Sequence, residues 1–137
     1  LAVLGVAFKA DTGDTRESPS LGVCRHLLAE QAEVVVSDPH ALDAARKDLS
    51  DLEGAVAFDP DPYSAAEGAH AILLLTEWNV YASLDYRRIF ESMIKPAFVF
   101  DGRNLLDHRM LHELGFNVYP VGKAPMTHII EHLQRAT

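Results

Sequence analysis

LAVLGVAFKADTGDTRESPS, residues 1–20, decides how the rest of the chain is read. It opens on an apolar run, residues 1–8, short and rich in small and branched side chains, which is the pattern of a strand buried on both faces of a parallel sheet. Residues 9–17 change character: Lys9, Asp11, Asp14, Arg16 and Glu17 surround Thr12, Gly13 and Thr15. That is loop chemistry, since Gly13 can take positive φ and Asp and Thr side chains hydrogen-bond nearby backbone. Ser18 reads as a helix cap and Pro19 as the first helical residue, where its missing N–H costs nothing.

In an open α/β sheet, ligands sit beyond the carboxyl ends of the strands, so the loop after the first strand faces such a mouth. It is not the Gly-rich dinucleotide fingerprint: Gly5 is followed by Ala7 and Lys9 where further glycines are needed. Without small residues that let backbone approach a pyrophosphate, an anion must be met by side chains, and Lys9 and Arg16 are available for that. The same two charges also fit a solvated loop.

Outward from this stretch, strand and helix alternate. A helix over 19–31 carries Leu21, Cys24, Leu27 and Leu28 on one face, which makes Cys24 a core residue rather than a reactive thiol. Strands are expected at 33–37, 55–58, 71–75, 97–100 and 117–121, with helices at 41–49, 63–68, 86–94 and 107–114. Asp38, before Pro39 at the end of the second strand, stands where dinucleotide folds keep a ribose-binding acid; with the glycines missing it reads as a turn former. Trp78, past the fourth strand, fits either stacking on a ligand ring or packing beneath a loop. Such alternation with ordinary connections means a Rossmann-like, doubly wound parallel sheet of about six strands with helices on both faces.

The chain has 137 residues and a formal net charge of −8, which fits one soluble globular domain with a sizeable core. The acidic balance argues against nucleic acid as partner, because a phosphate backbone needs a clustered basic surface. No apolar run approaches the roughly 20 residues of a membrane helix, and no leader precedes the first strand, so a cytoplasmic, unanchored protein is expected. Cys24 is the single cysteine, which rules out an internal disulfide. The chain begins inside a buried strand without a methionine and so reads as a piece of a longer polypeptide.

Lys9, Arg16 and Arg103 fall just past the first and fifth strands, on one edge of the sheet, whereas Arg25, Arg46, Lys47, Arg87 and Arg88 lie on helices as solvated faces. An acidic protein that gathers cations at its ligand edge offers a site to a multiply charged anion, and a diphosphate is the natural candidate. His108 with His112, and His128 with His132, are each spaced i, i+4, but neither pair encloses a metalloprotease glutamate and no cysteine cluster completes a site, so no metal is expected. No serine-centred elbow occurs either, and no catalytic residue is assigned.

With their spacing, Val3-Leu4-Gly5-Val6-Ala7-Phe8-Lys9-Ala10-Asp11-Thr12-Gly13-Asp14-Thr15-Arg16-Glu17-Ser18-Pro19 resemble the opening of the C-terminal domain of the UDP-glucose/GDP-mannose dehydrogenases. The likeness continues through YSAAEGAHA (63–71), Thr76-Glu77-Trp78, Leu84-Asp85-Tyr86 and Phe98-Val99-Phe100-Asp101-Gly102-Arg103-Asn104. It runs to about Lys123, which divides the chain into a UDP-binding domain, 1–123, and a tail, 124–137, with a short amphipathic segment of Met126, Ile129, Ile130 and Leu133. Within the family the chain looks more like the branch acting on UDP-glucose, of eukaryotic type, than the GDP-mannose or UDP-N-acetylmannosamine branches.

The resemblance implies an enzyme whose N-terminal domain binds NAD and carries the catalytic cysteine, whose central helix forms the dimer, and whose second Rossmann-like domain holds the UDP of its substrate. Such an enzyme oxidises the sugar C6 alcohol of UDP-glucose to the carboxylate of UDP-glucuronate in two NAD-dependent steps. By the family motif Phe8, Lys9 and Arg103 are substrate contacts, and Arg16 is a cofactor contact that reaches NAD across the interdomain cleft. Cys24 does not match the catalytic cysteine, so the fragment alone is expected to anchor substrate without turnover. A non-catalytic nucleotide-sugar module and an independent NAD-binding domain are the other readings, the last disfavoured by the broken Gly-rich loop.

Overall fold

The computed structural model describes residues 1–7, 19–52 and 54–128. Strands and helices alternate through them: β1 (Ala2–Leu4), α1 (Pro19–Ala29), β2 (Val34–Ser37), α2 (Leu42–Asp48), a 3-10 turn at Ser50–Leu52, β3 (Val56–Phe58), α3 (Pro62–Ala66), β4 (Ala71–Leu74), α4 (Asn79–Ala82), α5 (Tyr86–Ser92), β5 (Phe98–Asp101), α6 (His108–Leu114) and β6 (Asn117–Pro120). The strands form one six-stranded sheet in the order β3-β2-β1-β4-β5-β6. Every neighbouring pair is parallel. The doubly wound α/β fold expected from the alternation is the one observed.

Parallel neighbours need crossover connections, and connections of one hand set α1 and α2 on one face and α3, α5 and α6 on the other. Consistent with this, α3 touches α5 and α5 touches α6. The chain leaves β3 at one edge and returns to β4 beside β1, so the strand order reverses between β1 and β4, where ligands of such sheets bind. Side chains cap the later helices as their sequences suggest: Asp61 accepts from the Tyr63 N–H at 2.9 Å, Asp85 from Arg88 at 3.2 Å and Asp107 from Met110 at 3.1 Å.

The opening strand is shorter than its apolar run. Pairing covers only Ala2–Leu4, because Gly5 turns the chain at φ 97°. A Cβ at Gly5 would lie 2.5 Å from the Thr76 Cβ, so no other residue allows the ends of β1 and β4 to approach this closely. The helix α4 and the 3-10 turn have no counterpart in the sequence reading, being too short for periodicity to register. Cys24 is fully buried in the core, and burial pushes its thiol up to about 11.

Val3, Leu4, Val36, Ile72, Leu74 and Val99 fill the middle of the sheet, with Tyr81, Leu111 and Phe116 packed around them. The cover is uneven at β5 and β6. Residues alternate between faces along a strand, so Val99 and Val118 join the core while Phe98, Phe100 and Tyr119 lie on the opposite face. There the Phe100 and Tyr119 rings stack at 5.0 Å, and Phe100 is 40% exposed.

Beyond β6 the chain turns back. Met126 forms an isolated antiparallel bridge with Val118, and the His128 N–H donates to Asn117 Oδ1 at 2.7 Å. The start of the tail therefore lies along the outer edge of β6. Ile129, Ile130 and Leu133 of the expected amphipathic segment fall outside the described residues. No helix among the described residues is long and apolar enough to cross a membrane.

Candidate functional site

Because all six strands run in one direction, the carboxyl ends of β1, β4 and β5 form one rim with β4 in the middle. Arg103 stands two residues past β5, and its backbone N–H donates to Asp101 Oδ1 at 3.0 Å. Its side chain reaches back over the end of β4: Nε donates to the Leu75 carbonyl at 2.9 Å and lies 3.2 Å from Glu77 Oε2. Leu75 is itself held to β1, donating its N–H to the Leu4 carbonyl at 3.0 Å. The Arg103 side chain is 36% exposed, and its Nη groups form no hydrogen bond among the described residues. A guanidinium fixed through Nε with its outer fork unoccupied is suited to a phosphate, which it can meet with parallel N–H groups.

Phe8, Lys9 and Arg16, the other expected contacts, lie outside the described residues. The described chain reaches Ala7, one residue short of Phe8, and its carbonyl accepts from Thr76 Oγ1 at 3.0 Å. That bond stitches the β1 exit to the β4 exit. Ala7 and Arg103 are thus each bonded to a residue just past the end of β4, Thr76 and Leu75 respectively.

The anchor of this rim is Asp38, whose side-chain role the turn reading captured only in part. It is 1% exposed at the end of β2. Oδ1 accepts from the His40 and Ala41 N–H groups at 2.9 and 2.8 Å, which is the expected turn. Oδ2 points the other way and accepts from Val6 N–H at 2.9 Å, Ala7 N–H at 3.2 Å and Trp78 Nε1–H at 3.2 Å. Five donors from three loops surround one carboxylate, so among the described residues N–H dipoles satisfy this buried group. Trp78, 5% exposed, packs beneath the loops with its ring 5.0 Å from the His40 ring, so the packing alternative for this residue is the one observed.

Asp101 plays a related part at the end of β5. Also 1% exposed, it accepts from Arg103 N–H through Oδ1 and from Leu106 N–H and the His108 ring through Oδ2, the last two at 2.9 and 2.8 Å. Burial pushes this carboxyl up, but the Leu106 N–H, the His108 ring and the N–H groups of Arg103 and Leu105 outweigh it and hold it below the ordinary value. His108 is therefore claimed by Asp101 and not by His112, its i, i+4 neighbour. His112 stacks instead on His128 at 4.0 Å, and His128 Nε2 lies 2.8 Å from the His112 carbonyl. No group of three or more metal-ligating side chains gathers among the described residues.

Asp38 also tests whether this domain suits NAD as its own dinucleotide. A depression of about 250 Å³ lined by Asp38, His40, Leu42, Asp43, Arg46 and Pro60 opens beyond β2, where Rossmann folds hold a ribose. The acid that would bind ribose hydroxyls is already filled with protein donors, and Gly5 packs against Thr76 instead of making room for a pyrophosphate. The described residues do not fit a dinucleotide there. Among the described residues, the doubly wound sheet sets a guanidinium beside its switch point, where a phosphate group can be met by parallel N–H donors.

The comparisons agree with that chemistry. Residues 2–108 match the family model described as the UDP-glucose/GDP-mannose dehydrogenase family, UDP binding domain, and the chain belongs to this family. It is 45% identical over 141 residues to UDP-glucose 6-dehydrogenase 5 of Oryza sativa subsp. japonica, covering 90% of this chain and 29% of that relative. A UDP-glucose dehydrogenase from the hyperthermophilic archaeon Pyrobaculum islandicum superposes with a TM-score of 0.65 at 31% identity, over 84% of this chain and 25% of that one. An NDP-N-acetyl-D-galactosaminuronic acid dehydrogenase from Methanosarcina mazei Go1 superposes with a TM-score of 0.74 at 26% identity, over 89% of this chain and 24% of that one. The chain thus spans under a third of the length of the relatives it matches.

Proposed function

We propose that this chain is the UDP-sugar-anchoring domain of a UDP-glucose 6-dehydrogenase, an NAD-dependent oxidoreductase that makes UDP-glucuronate. The observation that carries this reading is Arg103: it stands past β5 with its Nε tied to the Leu75 carbonyl at the end of β4, on the rim that β1, β4 and β5 share. Phe8, Lys9 and Arg103 contact the substrate in this reading, the two cations holding the diphosphate. Binding energy gained on the remote nucleotide is converted into orientation of the glucose C6. The catalytic cysteine and most of the NAD contacts belong to an N-terminal domain outside this chain, with Arg16 reaching the cofactor across the cleft. Domain 1–123 supplies anchoring, and 124–137 is its tail. The parent enzyme is a cytoplasmic homo-oligomer built on a central dimer helix, and neither nucleic acid nor a membrane is a partner.

Calorimetric titration of the chain with UDP, UDP-glucose, GDP-mannose and NAD tests the assignment. UDP and UDP-glucose are expected to bind more tightly than GDP-mannose or NAD. Arg103→Ala should weaken UDP by about tenfold, as loss of a charge-assisted phosphate contact does. Its effect on thermal stability should be small, because the ion pair with Glu77 is half-exposed. Binding of NAD without UDP overturns the reading, and NADH production by the chain supplied with UDP-glucose and NAD overturns the division of labour.

A further inference from the structure

We infer that Glu77 is a specificity-determining residue of the rim: its carboxylate, set against the Arg103 guanidinium, favours the diphosphate diester of a UDP-sugar over UDP, whose free terminal phosphoryl carries an extra negative charge. The inference rests on the UDP reading above and adds to it which form of the nucleotide the rim selects. Glu77 follows Leu75 and Thr76 at the exit of β4, and its Oε2 lies 3.2 Å from Arg103 Nε. That oxygen is shielded from solvent and accepts no hydrogen bond among the described residues. The Arg103 Nε–H donates instead to the Leu75 carbonyl at 2.9 Å. Arg103 is therefore held by the carbonyl, and what Glu77 adds beside it is charge.

A guanidinium and a carboxylate this close carry little net charge between them. Long-range attraction for a polyanion is then weak, while the Nη–H groups of Arg103, which form no hydrogen bond among the described residues, keep their directional pull on a phosphate oxygen. In a UDP-sugar both phosphoryl groups are diesters and each carries a single negative charge. In UDP the terminal group is a monoester, which loses a further proton with a pKa of about 6. The added charge gains little from a guanidinium already paired and is repelled by the carboxylate beside it. Asp101 has no such effect on the guanidinium: it is buried, accepts from the Arg103 backbone N–H and shares its other oxygen with the His108 ring.

The test is calorimetry of the 137-residue chain with UDP-glucose and with UDP, for the parent, Glu77→Gln and Glu77→Asp. It is run at about pH 8 and about pH 5, on either side of the ionisation of the UDP monoester. At the higher pH Glu77→Gln is expected to shift the ratio of the two Kd values by about fivefold in favour of UDP, the effect of a unit charge on a half-exposed carboxylate. Glu77→Asp keeps the charge and should shift the ratio by about twofold or less. At the lower pH the two ligands carry equal charge, and Glu77→Gln should leave the ratio within about twofold of the parent. A Glu77 that merely supported Arg103 would, on replacement by Gln, weaken both ligands together at both pH values. That outcome, or an unchanged ratio at the higher pH, overturns the inference and leaves the UDP reading standing. Parent chain that gives no heat with either ligand overturns the UDP reading and the inference together.

Discussion

The inner and outer halves of the sheet end in the same kind of residue and use it differently. At the inner half, where β1, β2 and β4 meet, the described partners of Asp38 are N–H donors and the strand ends interlock through Gly5 and Thr76. At the outer half Asp101 shares its carboxylate between backbone N–H groups and the His108 imidazole, and beside it Arg103 stands half-exposed. One face of β5 and β6 is open there, with Phe100 and Tyr119 stacked on it. Among the described residues the inner half supplies the interlocked strand ends and the outer half a half-exposed guanidinium. A diphosphate needs both, because a cation on a mobile support gains little from a site that must be ordered by the ligand itself.

The sharpest way to break the inner half is Gly5→Ala. A Cβ at positive φ, 2.5 Å from the Thr76 Cβ, has no relaxed position, so a loss of about 3 kcal/mol or more in unfolding free energy is expected by urea titration. A variant within about 0.5 kcal/mol of the parent would mean that the β1 and β4 exits are not interlocked.

The outer half should answer to acid. The folded Asp101 carboxyl lies below its ordinary value of 3.8, so the group contributes stability that is fully present above that pH and is lost as pH falls through the folded value. Asp101→Asn is expected to cost about 2 kcal/mol at neutral pH and to flatten this acid limb, as read by urea midpoints between about pH 5 and pH 2. An unchanged acid limb in the variant would remove Asp101 as the bracket behind Arg103.

The smallest effect belongs to the open face. Phe100→Ser should cost about 1 kcal/mol or less by thermal melting, since a ring that is 40% exposed loses mainly its stacking on Tyr119. A cost like that of a core truncation, about 3 kcal/mol, would place this face inside the core and erase the contrast between the halves.

The fold was legible because its signals are local and repeated. Runs such as EVVVS and AILLL, each closed by polar or turn residues, specify buried parallel strands wherever they occur, and the alternation then leaves few topologies. Arg103 was legible at the level of its edge, since position past a strand settles which rim a residue occupies. Its hold on Leu75 and Glu77 was not, nor was the partner of His108, because residues 26 and 28 positions apart, or on different sides of a turn, meet only through packing. Trp78 had two readings until its burial against His40 and Asp38 chose between them.

Asp38 marks the boundary most clearly. Asp-Pro after a run of valines fixes a turn, because an Asx side chain reaches the N–H groups two and three residues on whatever surrounds it. That much, together with the alternation of strand and helix and the family motif, belongs to the sequence alone, whereas the strand order came from the sheet itself. Whether the second carboxylate oxygen met a ribose, water or the backbone of another strand depended on where β1 and β4 came to lie, Val6 being 32 residues away and Trp78 40. A hydrogen bond is a matter of a few tenths of an ångström, and only the packed sheet defines positions that finely.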